Sequence, residues 1–169
     1  MELLIIRHGL PVRRELTEGA ADPELAPQGR EQAEHLARYL ASELIDAVYA
    51  SPLARARETA APLAELLGME IRISPGVAEW DQNSSEYVPV EELKAANDPR
   101  WQAMLAGELP YSHIAETLDF ALIAVFFYPN YTSINRVAAA SSGERSIVTI
   151  NETSHLRGTG LPMGLFQQG

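Results

Sequence analysis

Hydrophobic positions along the chain change period several times, and each change marks a candidate element. Leu3 to Ile6 is a short apolar run that reads as a buried strand. Arg13 to Pro27 is polar and carries Gly19, Pro23 and Pro27, as a surface loop does. From Gln28 to Leu44 the apolar residues Ala33, Leu36, Ala37, Leu40, Ala41 and Leu44 recur at helical spacing. Asp46 to Ala50 predicts a second strand. Ser51-Pro52 then predicts a helix start, with serine as N-cap and proline at the first helical position. That helix has its apolar face at Ala56, Ala60, Leu63, Ala64 and Leu67, and Gly68 stops it. Glu70 to Ser74 predicts a third strand, and Pro75 to Val88 a loop.

Val90 to Leu105 reads as helix with a break near Asn97-Asp98-Pro99. Ile114 to Phe127 is apolar and fits either helix or strand. Ser133 to Ala140 and Arg145 to Ile150 read as two strands joined by Ser141-Ser142-Gly143-Glu144. Strands alternating with helices imply an α/β layered fold with a mainly parallel sheet. The 169 residues suit one domain, with no internal repeat or linker.

Composition narrows the function. The formal net charge is −10, which disfavours nucleic acid and anionic membrane surfaces as partners. An anionic small molecule remains admissible where arginines cluster. There is no cysteine, so disulfides and thiolate chemistry are excluded, as suits a cytoplasmic protein. No apolar run is long enough to span a bilayer, and the start Met-Glu-Leu-Leu-Ile-Ile lacks the features of a secretory signal.

Two stretches bring arginines to strand ends. Arg7-His8-Gly9 follows the first strand, where open α/β sheets bind ligands. A neutral histidine there, held in one tautomer, can attack phosphorus, and Gly9 would let the backbone approach a phosphate. Ser51-Pro52-Leu53-Ala54-Arg55-Ala56-Arg57-Glu58-Thr59-Ala60 follows the second strand and opens a helix. A helix N-terminus favours anions, and Arg55 can return its planar fork to the same phosphate. The other reading of Arg55 is a solvated helix arginine paired with Glu58 or Thr59.

Together these motifs resemble the histidine phosphatase superfamily, the phosphoglycerate-mutase-like proteins. Leu25-Ala26-Pro27-Gln28-Gly29-Arg30-Glu31-Gln32-Ala33 and Asn151-Glu152-Thr153-Ser154-His155-Leu156 resemble further segments of that family. The resemblance runs from about Met1 to Val88 and from about Tyr128 to Leu156. It implies a single domain over 1–169 with a three-layer sandwich, a mainly parallel sheet flanked by helices. It also implies hydrolysis of a small phosphorylated substrate. His8 would become phosphohistidine, Arg7, Gly9 and Arg55 would hold the phosphoryl group, and Glu79 would protonate the leaving alcohol. Asp81 and Glu86 are the alternative acids. No metal or cofactor is implied.

The family also uses a second pocket histidine in a His-Gly-Gly stretch, and this chain has none. The family pattern jumps between about Leu109 and His113, as though a helix–strand unit of roughly 30 residues were absent. Losing a strand beside the first one would expose an edge and apolar surface. Three outcomes are open: Phe120 to Phe127 fills the gap, a second copy covers it as a homodimer, or the protein is a weakened relative. His113 would replace the second histidine only if the chain rearranges. His155 reads as structural and His35 as a solvated helix residue. The alternatives to a phosphatase are a catalytically impaired phosphate-binding or assembly protein and a phosphoglycerate-mutase-type phosphotransferase.

Overall fold

The computed structural model describes residues 1–79, 82–105 and 129–164. The segment Ile114–Phe127, the jump at Leu109–His113, and the residues Trp80, Asp81 and His113 lie outside these.

Strand β1, Glu2–Ile6, is where the predicted strand falls, but only one of its faces is covered. Leu4 and Ile6 pack inward, whereas Leu3 and Ile5 are exposed. Alternation explains this, since successive strand residues point to opposite faces. Its neighbour is β6, Ile134–Ala139, which pairs antiparallel with it from Glu2↔Ala138 to Ile6↔Ile134. Strand β7, Arg145–Glu152, pairs antiparallel with β6 across the predicted turn. Ile134–Ala139 thus lies on one side of β1, which is an edge strand among the described residues. The direct pair has a cost in direction: a parallel neighbour needs a crossover, and this one arrives antiparallel.

The parallel direction expected for most of the sheet is found, among the described residues, in one pair. That pair is β3, Val48–Ala50, with β4, Ile71–Ile73. Two short strands, β2 (Arg14–Glu15) and β5 (Glu86–Tyr87), pair antiparallel and pin stretches expected to be loops. The α/β class holds: helices α1 (Pro27–Leu40) and α2 (Ala54–Leu67) pack on each other and on the inner face of β1 and β6. Leu36, Ala37, Leu40, Leu63 and Ile134 form that core, with Leu4, Ile6, Ile45 and Leu67 against it. Arg136 lies on the same inner face and meets Glu43 at 2.7 Å and Glu2 at 3.2 Å.

Two predicted boundaries shift for physical reasons. Helix α1 stops at Leu40, although the apolar spacing runs on to Leu44; Leu44 is fully exposed, so no core holds the last turn. Helix α2 starts at Ala54, three residues after the predicted cap, and its N-cap is Leu53. The cap is borrowed. Asp22 Oδ1 accepts the Ala54 N–H at 2.8 Å, so the acceptor comes from a distant loop and not from Ser51. Gly68 closes α2 in the left-handed conformation. The predicted break separates α3 (Val90–Ala95) from α4 (Pro99–Leu105), with Asn97 at φ 48° between them.

Behind the site, His155 is buried with Leu156, near Leu161 and Met163. Thr132 Oγ1 donates to the Tyr131 carbonyl and therefore accepts from His155 Nε2 at 2.9 Å. Burial pushes the His155 pKa down to about 4, so the ring is neutral and structural. His35 sits half-buried on α1.

One backbone contact governs how β1 meets α1. A Cβ on Gly29 would lie 2.1 Å from the Leu10 carbonyl oxygen, and one on Gly9 would lie 2.7 Å from the Gly29 carbonyl oxygen. We expect Gly29→Ala to cost roughly 2–3 kcal/mol, a fall in Tm of roughly 5–10 °C by calorimetry. A wild-type Tm would show that the two backbones can separate freely.

Candidate active site

The ends of β1 and β3 deliver the candidate residues to one place. His8 follows β1 and is buried. Its Nδ1 lies 2.7 Å from the Gly9 carbonyl oxygen. A carbonyl only accepts, so Nδ1 carries a proton and Nε2 is the nitrogen that faces the site. Nε2 lies 3.0 Å from Glu79 Oε1. The approach is off the line of an N–H bond, and Nε2 has no hydrogen-bond partner among the described residues. The contact is therefore electrostatic more than directional.

Arg55 comes from the first turn of α2 and is 1% exposed, which excludes the solvated reading. Its Nη2 donates to Glu79 Oε2 at 2.7 Å. The Tyr87 ring of β5 lies 4.7 Å from its Cζ, and the same ring stands edge-on to His8 at 6.3 Å. One carboxylate therefore spans an imidazole and a buried guanidinium. Burial by itself raises the Glu79 pKa. The contact with His8, followed by the charge of Arg55, overrides this and holds the carboxyl well below the usual carboxylate range. The Glu79 side chain is 39% exposed, so it closes the site from the solvent side.

Arg7 is placed differently. Its Nη1 donates to the Pro129 carbonyl at 2.5 Å, and its Cζ lies 4.4 Å from the centre of the Tyr131 ring. That ring is 6.2 Å from the His8 ring, so Arg7 and His8 share Tyr131 as a neighbour. Gly9 also serves another purpose than expected. Its amide donates to Thr59 Oγ1 at 2.9 Å, and its carbonyl orients His8. Its lack of a side chain is required by Gly29. The N-terminus of α2, expected to favour an anion, has taken the Asp22 carboxylate. Of the alternative acids, Glu86 is engaged by Arg100 at 2.8 Å, and Asp81 lies outside the described residues.

Several residues that build the site escaped the sequence reading. Thr59 accepts from Gly9 and donates to the Arg55 carbonyl, joining the two motifs. Gln32, fully buried, accepts the Leu10 N–H at 2.8 Å and donates to the Pro162 carbonyl. Glu58 accepts the Leu25 N–H and meets Arg30 at 3.1 Å, not Arg55. Each lies inside a motif already singled out, and that was the available signal. Tyr87 and Tyr131 carry no such signal. No group of three or more acidic or histidine side chains fit to hold a metal occurs among the described residues.

This geometry can be set beside known proteins. The chain is 34% identical over 97 residues to phosphoserine phosphatase 1 of Hydrogenobacter thermophilus, covering 55% of this chain and 45% of that one. It is 26% identical over 110 residues to a probable phosphoglycerate mutase of Yersinia enterocolitica, covering 63% of this chain and 51% of the relative. The chain thus spans about half the length of these two relatives. The crystal structure of a phosphoserine phosphatase from Entamoeba histolytica with 3-phosphoglyceric acid has the same fold. Its TM-score is 0.62 at 22% identity, over 92% of this chain and 98% of that one. Residues 3–119 match the histidine phosphatase superfamily, branch 1, and the chain belongs to that family.

Proposed function

We propose that the chain hydrolyses phosphate monoesters through a phosphohistidine at His8. One observation carries this reading: an anionic group, the Glu79 carboxylate, lies between His8 Nε2 and the Arg55 guanidinium. A phosphoryl group needs the same two partners. The phosphatase name of the Hydrogenobacter relative and the family membership support it.

An incoming phosphoryl group displaces the carboxylate from Arg55 and takes its place before His8 Nε2. Attack requires a neutral imidazole at His8 and a carboxylic acid at Glu79, which takes its proton from solvent once clear of Arg55. The Nε2–P bond forms as the P–O bond breaks, and Glu79 gives its proton to the departing alkoxide. Arg55 and Arg7 stabilise the charge on the transferring oxygens. A water molecule, losing its proton to Glu79, then attacks phosphorus and frees His8. No step calls for a metal or cofactor.

Two other readings have specific support. The lack of a His-Gly-Gly stretch favours an impaired phosphate binder. The Yersinia relative favours a phosphotransferase between two positions of a phosphorylated acid. The substrate is a small phosphorylated molecule and not nucleic acid, given the net charge of −10. We place the protein in the cytoplasm as a single domain. No described helix is long and apolar enough to cross a membrane. We also propose a homodimer. Leu3, Val137 and Ile147 stand opposite one another across β1, β6 and β7, and Leu3, Ile5, Ile147 and Ile150 expose apolar surface. Sedimentation equilibrium is expected to give twice 18.5 kDa, and a monomer at all concentrations discards the dimer.

His8→Ala is expected to lower hydrolysis of a chromogenic phosphate ester by about 10⁴-fold or more. Wild-type protein quenched during turnover is expected to carry acid-labile, alkali-stable phosphate. Equal rates for the two proteins remove the phosphohistidine reading. Glu79→Gln is expected to act in two directions at once. Turnover falls by about 10²–10⁴-fold with the loss of the acid. Inorganic phosphate binds roughly fivefold tighter, because its internal competitor has lost a charge. Weaker phosphate binding in calorimetry shows that Glu79 does not hold the phosphoryl position.

A further inference from the structure

We propose that Tyr131 is a positioning residue that acts through Arg7. The inference rests on the phosphoryl-site reading above. Tyr131 is 1% exposed, yet its environment is polar. Its ring face lies 4.4 Å from the Arg7 Cζ, and His8 stands 6.2 Å away on the same ring. Its hydroxyl donates to Glu91 Oε2 on α3 at 2.9 Å. A phenol that donates to a carboxylate gains electron density, which makes the ring a better seat for a cation.

The main chain repeats the arrangement. Thr132 N–H donates to the His8 carbonyl at 3.4 Å, Arg7 N–H to the Ser133 carbonyl at 3.3 Å, and Arg7 Nη1 to the Pro129 carbonyl. Residues 129–133 therefore grip the Arg7-His8 pair from the far end of the sequence. Tyr131 is the member of that grip whose side chain touches Arg7 and stands beside the His8 ring. Through Glu91 it also ties them to α3. Removing the ring takes away the face that fixes the plane of the Arg7 guanidinium, while the Pro129 carbonyl still holds Nη1, so the loss falls on phosphate affinity and KM more than on kcat.

A double-mutant cycle in the full chain tests this, with inorganic phosphate as calorimetric probe and a chromogenic ester for KM and kcat. Tyr131→Leu is expected to weaken phosphate and raise KM about tenfold, the size of a desolvated cation–ring contact. Tyr131→Phe keeps the ring and restores most of that loss. In an Arg7→Gln background, Tyr131→Leu is expected to change the phosphate Kd by less than about twofold, because the partner it positions is gone. The same tenfold loss in both backgrounds, or wild-type affinity in Tyr131→Leu, overturns the inference and leaves the phosphatase reading standing. A wild-type protein that binds no phosphate overturns both. Where Tyr131→Leu does not fold, Glu91→Gln takes its place in the cycle. It is expected to weaken phosphate about threefold with Arg7 present and not with Arg7→Gln; equal effects overturn the inference.

Discussion

A guanidinium removed from water must be neutralised, and the site is organised by that demand at Arg55. A lone cation at this depth would cost on the order of several kcal/mol. The Glu79 carboxylate and the face of Tyr87 meet that demand. The carboxylate comes from the loop that follows β4, and its side chain is partly accessible. On the proposed reading, displacing Glu79 from Arg55 frees the place that a phosphoryl group would take.

The two long motifs turn out to be mostly framework. Glu58 holds Leu25 and Arg30, Thr59 holds Gly9, Asp22 caps α2, and Gln32 holds Leu10. These polar side chains satisfy backbone amides that no sheet or helix can reach. The glycine pair at positions 9 and 29 lets α1 close on the chain just after His8. A fixed imidazole thus results from several polar contacts, of which Glu58–Leu25 and Thr59–Gly9 join one motif to another.

Legibility in the sequence followed the range of the forces involved. Helices α1 and α2, the Gly68 stop and the break at Asn97 rest on local periodicity and local turn chemistry, and were readable. His8, Arg55 and Glu79 were readable because strand ends and a family pattern marked them. The α2 cap was misplaced because its acceptor, Asp22, lies 32 residues upstream. The antiparallel partner of β1 could not be read, since pairing is set by tertiary closure and not by the residues of either strand. The same is true of Tyr87 and Tyr131, whose surroundings exist only after folding.

The seating of β6 on β1 also fixes an order of events. The amino group of Met1 bonds the Ala139 carbonyl, and strand β1 waits for a partner that begins at Ile134. During synthesis His8 leaves the ribosome well before Pro129–Ser133, the stretch that holds it and its neighbour Arg7. Closure of so long a loop is slow compared with helix formation. Helices α1 and α2 can pair while the chain is still growing, but the candidate site is complete only once Pro129–Ser133 has folded back onto the end of β1.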